Sequence, residues 1–317
     1  MKILSIDGGG YRGIFAAHVL KRIEQKFSAS WPSDFSLIAG TSTGSIIAAG
    51  LACGLSAHDI CELYRINGHE IFKKRPYSRL GLTSSRYRSA NLKNILTDVF
   101  TDKRLGDVKT PLLIPSTDIG NGCVHVLKSA YDPGFFRDPD VLIVDAILAS
   151  CSAPTYFDPY ITDRYMLADG GLWANNPSLI ATVEAKRRLG AKLEDLEVLS
   201  IGTGTGKKYY SQRPSFFKRM MGWGFATRWG GTKFINMILN LQSETASNTL
   251  QLLLEKDQIV RVNFTSDNNL SLDDPGMYAD LCSKADKEFT YNSSKIAAFF
   301  TYQRSKELHA DQTRKSR

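Results

Sequence analysis

Ser42 stands between two glycines in Gly40-Thr41-Ser42-Thr43-Gly44, after the apolar run Phe35–Ala39 and before Ser45-Ile46-Ile47-Ala48-Ala49. Strand, sharp turn and helix are the setting in which a serine hydroxyl becomes an exposed nucleophile: Gly40 and Gly44 let the chain turn tightly around it. A turn rich in glycine and serine also arises for purely local reasons. The chemistry therefore needs partners, and two further segments offer them.

The first is Asp7-Gly8-Gly9-Gly10-Tyr11-Arg12-Gly13, which ends an amino-terminal strand and opens a helix. Consecutive glycines let the backbone approach a ligand closely, and amides at a helix amino terminus point outward. Donors of that kind in Gly8, Gly9 and Gly10 would stabilise the oxyanion of an acyl-transfer intermediate, about 3–4 kcal/mol each. Gly8, Gly10 and Gly13 also satisfy G-x-G-x-x-G after a strand, with Asp34 about twenty residues on, as a dinucleotide site requires. Against that reading, Asp34 precedes the next strand instead of ending it. A Walker A loop is excluded because no G-K-[ST] follows.

The second segment must supply a base. The histidines His18, His58, His69, His125 and His309 fall on no obvious strand-end loop late in the sheet. Asp169 does, in Tyr165-Met166-Leu167-Ala168-Asp169-Gly170-Gly171, where a strand delivers a carboxylate to a glycine turn before Asn175-Asn176-Pro177 starts a helix. A carboxylate that accepts the serine proton directly makes a two-residue nucleophile–base pair.

With D-G-G-G-x-R-G, G-T-S-T-G and A-D-G-G followed by N-N-P in this order, the chain resembles the patatin-like phospholipase family over roughly residues 1–205. The resemblance implies a three-layer α/β/α sandwich with a largely parallel central sheet. It implies a Ser42–Asp169 dyad, an oxyanion hole from Gly8, Gly9 and Gly10 steadied by Arg12 and Gly13, and Gly170 and Gly171 in the proton-acceptor loop. It further implies hydrolysis of phospholipid acyl esters with no metal or other cofactor. Within the family the short architecture is similar to effectors of bacterial cyclic-oligonucleotide anti-phage signalling, which implies a cyclic dinucleotide activator, a phospholipid membrane surface as substrate and a cytoplasmic enzyme working at the inner face of the membrane. Neither DNA nor RNA is expected as a partner, and a homo-oligomer is left open. Two alternatives stand beside this: a constitutive lipid acyl hydrolase, and a non-enzymatic nucleotide-binding module with Gly8–Gly13 as its phosphate cradle.

The elements that must position these residues follow from periodicity. Strands are predicted at Lys2–Ile6, Phe35–Ala39, Leu112–Asp118, Val124–Lys128, Tyr165–Ala168, Glu197–Ile201 and Ile259–Asn263. Helices are predicted at 13–27, 42–52, 57–67, 91–100, 141–150, 177–189, 233–254, 277–289 and 293–307. Such alternation points to helices on both faces of a parallel sheet. The domain reading is a single unit over 1–308, with basic insertions near 71–93 and 207–232 and a polar tail at 309–317.

Composition agrees: 317 residues, 43% hydrophobic and 23% charged, suffice for one large core. Five scattered cysteines without a C-x-x-C pair argue against a disulfide framework or zinc site. Met1-Lys2 leads straight into a strand, so no signal peptide is read. The uncharged stretch Phe35–Ala57 has Gly-Thr-Ser-Thr-Gly-Ser at its centre and is better read as a buried strand and helix than as a membrane span. The net charge of +8 is local: seven unopposed basic residues lie between Glu70 and Asp98 and seven more between Glu197 and Glu244. Setting those 14 aside leaves 26 basic against 32 acidic residues. Each segment is either a solvated loop or a face for an anionic partner. In the second, aromatics interleave with cations (Tyr209, Tyr210, Phe216, Phe217, Trp223, Trp229), which suits a lipid interface or a phosphate-bearing nucleotide, or else a small folded core.

Overall fold

The computed structural model describes residues 1–75, 84–207, 210, 222–224, 227–267 and 270–301. Its strands are β1 (Lys2–Ile6), β2 (Leu37–Gly40), β3 (Leu112–Asp118), β4 (Cys123–Lys128), β5 (Tyr160–Ile161), β6 (Met166–Asp169), β7 (Glu197–Ile201), β8 (Thr205–Gly206), β9 (Ile259–Val262) and β10 (Thr265–Ser266). Its helices are α1 (Gly13–Phe27), α2 (Trp31–Asp34), α3 (Thr43–Ala52), α4 (Ala57–Ile71), α5 (Ser89–Phe100), α6 (Ile143–Cys151), α7 (Gly171–Ala174), α8 (Ser178–Arg188), α9 (Thr232–Leu253) and α10 (Tyr278–Tyr291), and residues 293–301 are again helical.

Eight strands form one sheet in the order β5-β6-β3-β2-β1-β7-β9, with β4 added on β3. The pairings β1·β2, β1·β7, β2·β3 and β7·β9 are parallel, while β3·β4, β3·β6 and β5·β6 are antiparallel. Central strands are apolar on both faces because both are covered. Leu4, Ile6, Ile38, Leu199 and Ile201 pack with α1, α3 and α6 on one side. Ile3, Leu37, Leu113 and Val198 meet Ala181 and Ala185 of α8 and Leu250 of α9 on the other. The period of two along each strand thus produces the three layers expected from the sequence.

Lys2, first residue of the central strand β1, is buried, and its ammonium donates to the Phe299 carbonyl at 2.6 Å while lying 4.7 Å from the Phe299 ring centre. The helix at 293–301 therefore reaches back to cover the start of β1. No helix among the described residues is long and apolar enough to cross a membrane.

One expectation changes. The segment near 71–93 is more than an insertion: α4 continues to Ile71, α5 begins at Ser89, and Tyr87 between them is fully buried, packing edge-on against Phe72 at 5.4 Å. Of its described cations, Arg75 bonds Asp158 at 2.5 Å and Arg86 bonds Asp273 at 2.9 Å, while Lys73 pairs with Glu70 at the surface at 3.2 Å. Asp34 closes the short α2, and its carboxylate accepts the Ser30 N–H at 2.8 Å, a local turn contact with no place in a nucleotide cradle. Most of the second basic segment, and all of 302–317 including His309, lie outside the described residues.

Candidate active site

Register brings the two chemical residues to one level. β2 pairs with β3 through Ala39↔Leu113, and β6 pairs with β3 through Asp169↔Ser116, so three residues beyond Ala39 the chain reaches the level of Asp169. There it turns into α3 with Ser42 at φ +53° and ψ −125°, a conformation rare for a residue with a side chain. The turn closes because Gly40 and Gly44 have no Cβ: one on Gly44 would run into the Ile6 carbonyl, one on Gly40 into the Gly44 carbonyl. The strained residue is strapped from behind. The Ser42 N–H donates to Ser150 Oγ at 2.9 Å, and that hydroxyl donates to the Pro115 carbonyl at 2.6 Å. Ser45 Oγ donates to the Ser42 carbonyl at 2.6 Å.

Asp169 is 3% exposed and pinned through its backbone: its N–H donates to the Ser152 carbonyl at 3.0 Å, and its carbonyl accepts Thr117 Oγ1 at 2.8 Å. Its carboxyl accepts the Gly171 N–H at 2.7 Å, and the Ser42 side chain lies close enough to lower its pKa. Burial outweighs both influences and pushes the Asp169 pKa up to about 6. Gly170 lies so close to the Pro115 carbonyl that a Cβ would collide with it. Beside the pair, Cys151 carries a thiol that burial pushes up, with the Asp169 charge adding to the effect.

The glycine loop closes the other side. The Gly8 N–H is committed to the Asn175 carbonyl at 2.9 Å, so it is no free donor, in contrast to the expectation for this residue. The N–H groups of Gly9 and Gly10 have no hydrogen-bond partner among the described residues. Gly10 takes φ +59° against the Leu272 carbonyl, which a side chain there would strike. Arg12 Nε donates to the Gly9 carbonyl and Nη1 to the Gly204 carbonyl, both at 3.2 Å, while Gly13 packs directly on Thr43.

Four residues at the site escaped the sequence reading. Asn175 Nδ2 donates to Ser243 Oγ at 2.9 Å, and Ser243 in turn donates to Asp7 Oδ2 at 3.2 Å. Asp7 is held by Arg261 at 2.8 and 2.6 Å, yet burial still keeps its carboxyl above the ordinary range. The Asn175 Oδ1 is buried without a partner among the described residues, and Asn175 is among the residues that line the cleft. The N-N-P motif marked this asparagine only as a helix start; its contacts depend on segments 70 to 170 residues away.

Ser42, Asp169, Gly9, Gly10 and Asn175 open into a cleft of about 590 Å³ counted out to its mouth. The walls are apolar, with Ile46, Ile71, Phe72, Leu92, Tyr156 and Phe157 among them. That apolar character, with polar groups gathered at one end, suits an alkyl chain with a polar reacting end. None of the described histidines lines it: His18 bonds Asp286 at 3.2 Å, and His125 lies against Tyr165. No group of acidic, histidine and cysteine side chains suited to a metal occurs among the described residues.

Residues 4–182 match the patatin-like phospholipase family. A cGAMP-activated phospholipase from Pseudomonas aeruginosa is 38% identical over 64% of this chain and 62% of its own length. One from Vibrio cholerae is 32% identical over 95% of this chain and 94% of its own. A cUMP-AMP-activated phospholipase from Escherichia coli is 30% identical over 83% of this chain and 81% of its own. VipD from Legionella pneumophila has the same fold, at a TM-score of 0.50 and 12% identity over 94% of this chain and 67% of that one. With its three motifs on one cleft and this kinship along most of its length, the chain belongs to the patatin-like phospholipases and is a lipid acyl hydrolase.

Proposed function

We propose that this protein hydrolyses acyl esters of membrane phospholipids through a Ser42–Asp169 dyad and that a cyclic dinucleotide switches it on. The observation that supports the dyad is Ser42 and the buried Asp169 carboxyl at the end of one apolar cleft, beside two glycine amides with no partner among the described residues. With an acyl chain in the cleft, Ser42 Oγ attacks the ester carbonyl carbon and Asp169 takes its proton. The Gly9 and Gly10 N–H groups receive the oxyanion, and the amino end of α3 adds its dipole. The intermediate collapses as Asp169 returns the proton to the lysolipid oxygen. Water then attacks the acyl-enzyme with Asp169 again as base, releasing the fatty acid and restoring Ser42. An aspartate is a modest base, so most of the acceleration rests on oxyanion donors and positioning.

Activation by nucleotide is supported by relatives named for cGAMP and cUMP-AMP activation that align over most of this chain; a cytoplasmic role in antiviral defence at the inner face of the membrane belongs to the same proposal. The test is fatty acid release from phospholipid vesicles by the purified protein, with and without cyclic GMP–AMP, cyclic UMP–AMP and cyclic di-GMP, with Ser42→Ala as blank. Release that needs one nucleotide supports both parts. Release without any keeps the hydrolase and discards the switch. No release, and no labelling of Ser42 by a fluorophosphonate, overturns the dyad.

A further inference from the structure

A second and larger cleft, about 1050 Å³ out to its mouth, lies on the other flank of the elements that build the site. We propose that it is where the activating cyclic dinucleotide binds; this rests on the regulatory reading above. Its lining combines three kinds of group. Arg104 and Arg164 are exposed at it. Arg164 rides the tight turn between β5 and β6, where Thr162 Oγ1 accepts the N–H groups of Arg164 at 3.3 Å and Tyr165 at 2.9 Å. Its guanidinium has no hydrogen-bond or ion-pair partner among the described residues. Tyr160, Tyr165 and His125 supply ring faces and edges, with His125 and Tyr165 centred 4.6 Å apart at 61°. Asp145 supplies an acceptor: its Oδ1 is buried with no hydrogen-bond partner among the described residues.

Guanidinium forks match phosphate oxygens, rings stack nucleobases, and carboxylates accept from the amino and imino groups of base edges. A long polyanion fits poorly, because Asp138, Asp140 and Asp163 share the lining. A compact ligand with phosphates on one part and N–H donors on another fits well.

Position gives the binding a consequence. α6 contributes Asp145 and Ala149 to this cleft, and its end supplies Ser150, which holds the Ser42 N–H, and Cys151 of the catalytic cleft. β6 contributes Leu167 here and Asp169 there. A ligand that favours one placement of α6 and β6 therefore biases the distance between nucleophile and base, provided that it binds that placement more tightly.

The test pairs fatty acid release with calorimetric titration of cyclic GMP–AMP and cyclic UMP–AMP into protein carrying Ser42→Ala. Arg164→Glu replaces a phosphate donor by a repelling charge, and Arg164→Lys keeps the charge without the fork. Loss of one charge-assisted contact raises the half-activating concentration and the Kd by about tenfold or more for glutamate, and by less for lysine. Melting temperature and fluorophosphonate labelling of Ser42 stay at the wild-type level, since Arg164 is an exposed turn residue. Unchanged nucleotide affinity in Arg164→Glu, with a wild-type protein that responds, overturns this site and leaves the regulatory reading standing. A wild-type protein that neither binds nor responds to any of the nucleotides overturns both.

Discussion

A carboxyl held near pKa 6 is a better base than a solvated aspartate and a worse guest for the protein interior, and both consequences are measurable at Asp169. Burial raises it from its ordinary 3.8 to about 6, so the folded protein binds a proton there that the unfolded chain releases. That contribution to stability is complete below pH 3.8 and is lost as the pH rises through 6. At neutral pH the ionised group thus costs about 3 kcal/mol relative to a solvated carboxylate. Asp169→Asn keeps an acceptor for the Gly171 N–H and removes the charge. In urea denaturation it should gain up to about 3 kcal/mol over wild type at pH 8, with the gain shrinking towards pH 4. Equal or lower stability of the variant at pH 8 would contradict the desolvation argument. The same variant, like Ser42→Ala, should lose activity by about a thousandfold or more. In the wild type, kcat/KM for a short-chain ester should fall about tenfold per pH unit below 6 and level off above 7, because in the proposed dyad only the carboxylate can accept the serine proton.

The turn between β2 and α3 carries its own cost. A serine at φ +53° and ψ −125° stores about 1–3 kcal/mol of backbone strain, held in place by the Ser150 strap and the glycine contacts. Ser42→Gly relieves that strain and gives back part of it as unfolded-chain entropy. It should therefore melt about 1 kcal/mol more stable than Ser42→Ala, with both inactive. If alanine proves equally stable, the turn is unstrained. Ser150→Ala leaves the Ser42 N–H and the Pro115 carbonyl buried and unpaired, and should cost about 2–3 kcal/mol in denaturant unfolding. Elements with a strong period or a marked stop were legible in the sequence: β1 and α1 to the residue, β2 and α3 within two. β5, β8, β10 and α7 are two to four residues long, too short to carry any period. Ser42 and Asp169, the proposed nucleophile and acceptor, stand out in the sequence because glycines crowd around them. Ser150, Ser243 and Asn175 were not, because their roles depend on which distant strands lie side by side. The cations near 71–93 announced a charge excess, but nothing local announced that Asp158 and Asp273 would absorb part of it.

Over the whole molecule the formal charge of +8 remains to be accounted for, and the engagement of Arg75 and Arg86 moves attention to the second basic segment. Its described part is an aromatic cluster. Trp223 and Trp229 are centred 5.1 Å apart, Arg228 lies 4.1 Å over Trp223, and Lys233 lies 4.7 Å over Tyr210. Lys233 lies in the first turn of α9, the helix whose Leu239 lines the candidate active-site cleft. Rings that are half exposed beside cations suit the headgroup depth of an anionic bilayer, where each basic residue near the surface adds about 1 kcal/mol. Salt shortens the reach of that attraction to about 10 Å at 0.1 M and less above it, while leaving a buried dyad nearly untouched. Hydrolysis of vesicles rich in anionic lipid should therefore fall several-fold from low to high salt, and hydrolysis of a soluble short-chain ester by the same preparation should not. A parallel loss on both substrates would place the salt effect in the active site or the fold. No loss on either would mean that the charge of this segment does not bring the enzyme to its membrane, and that the apolar cleft alone captures the lipid.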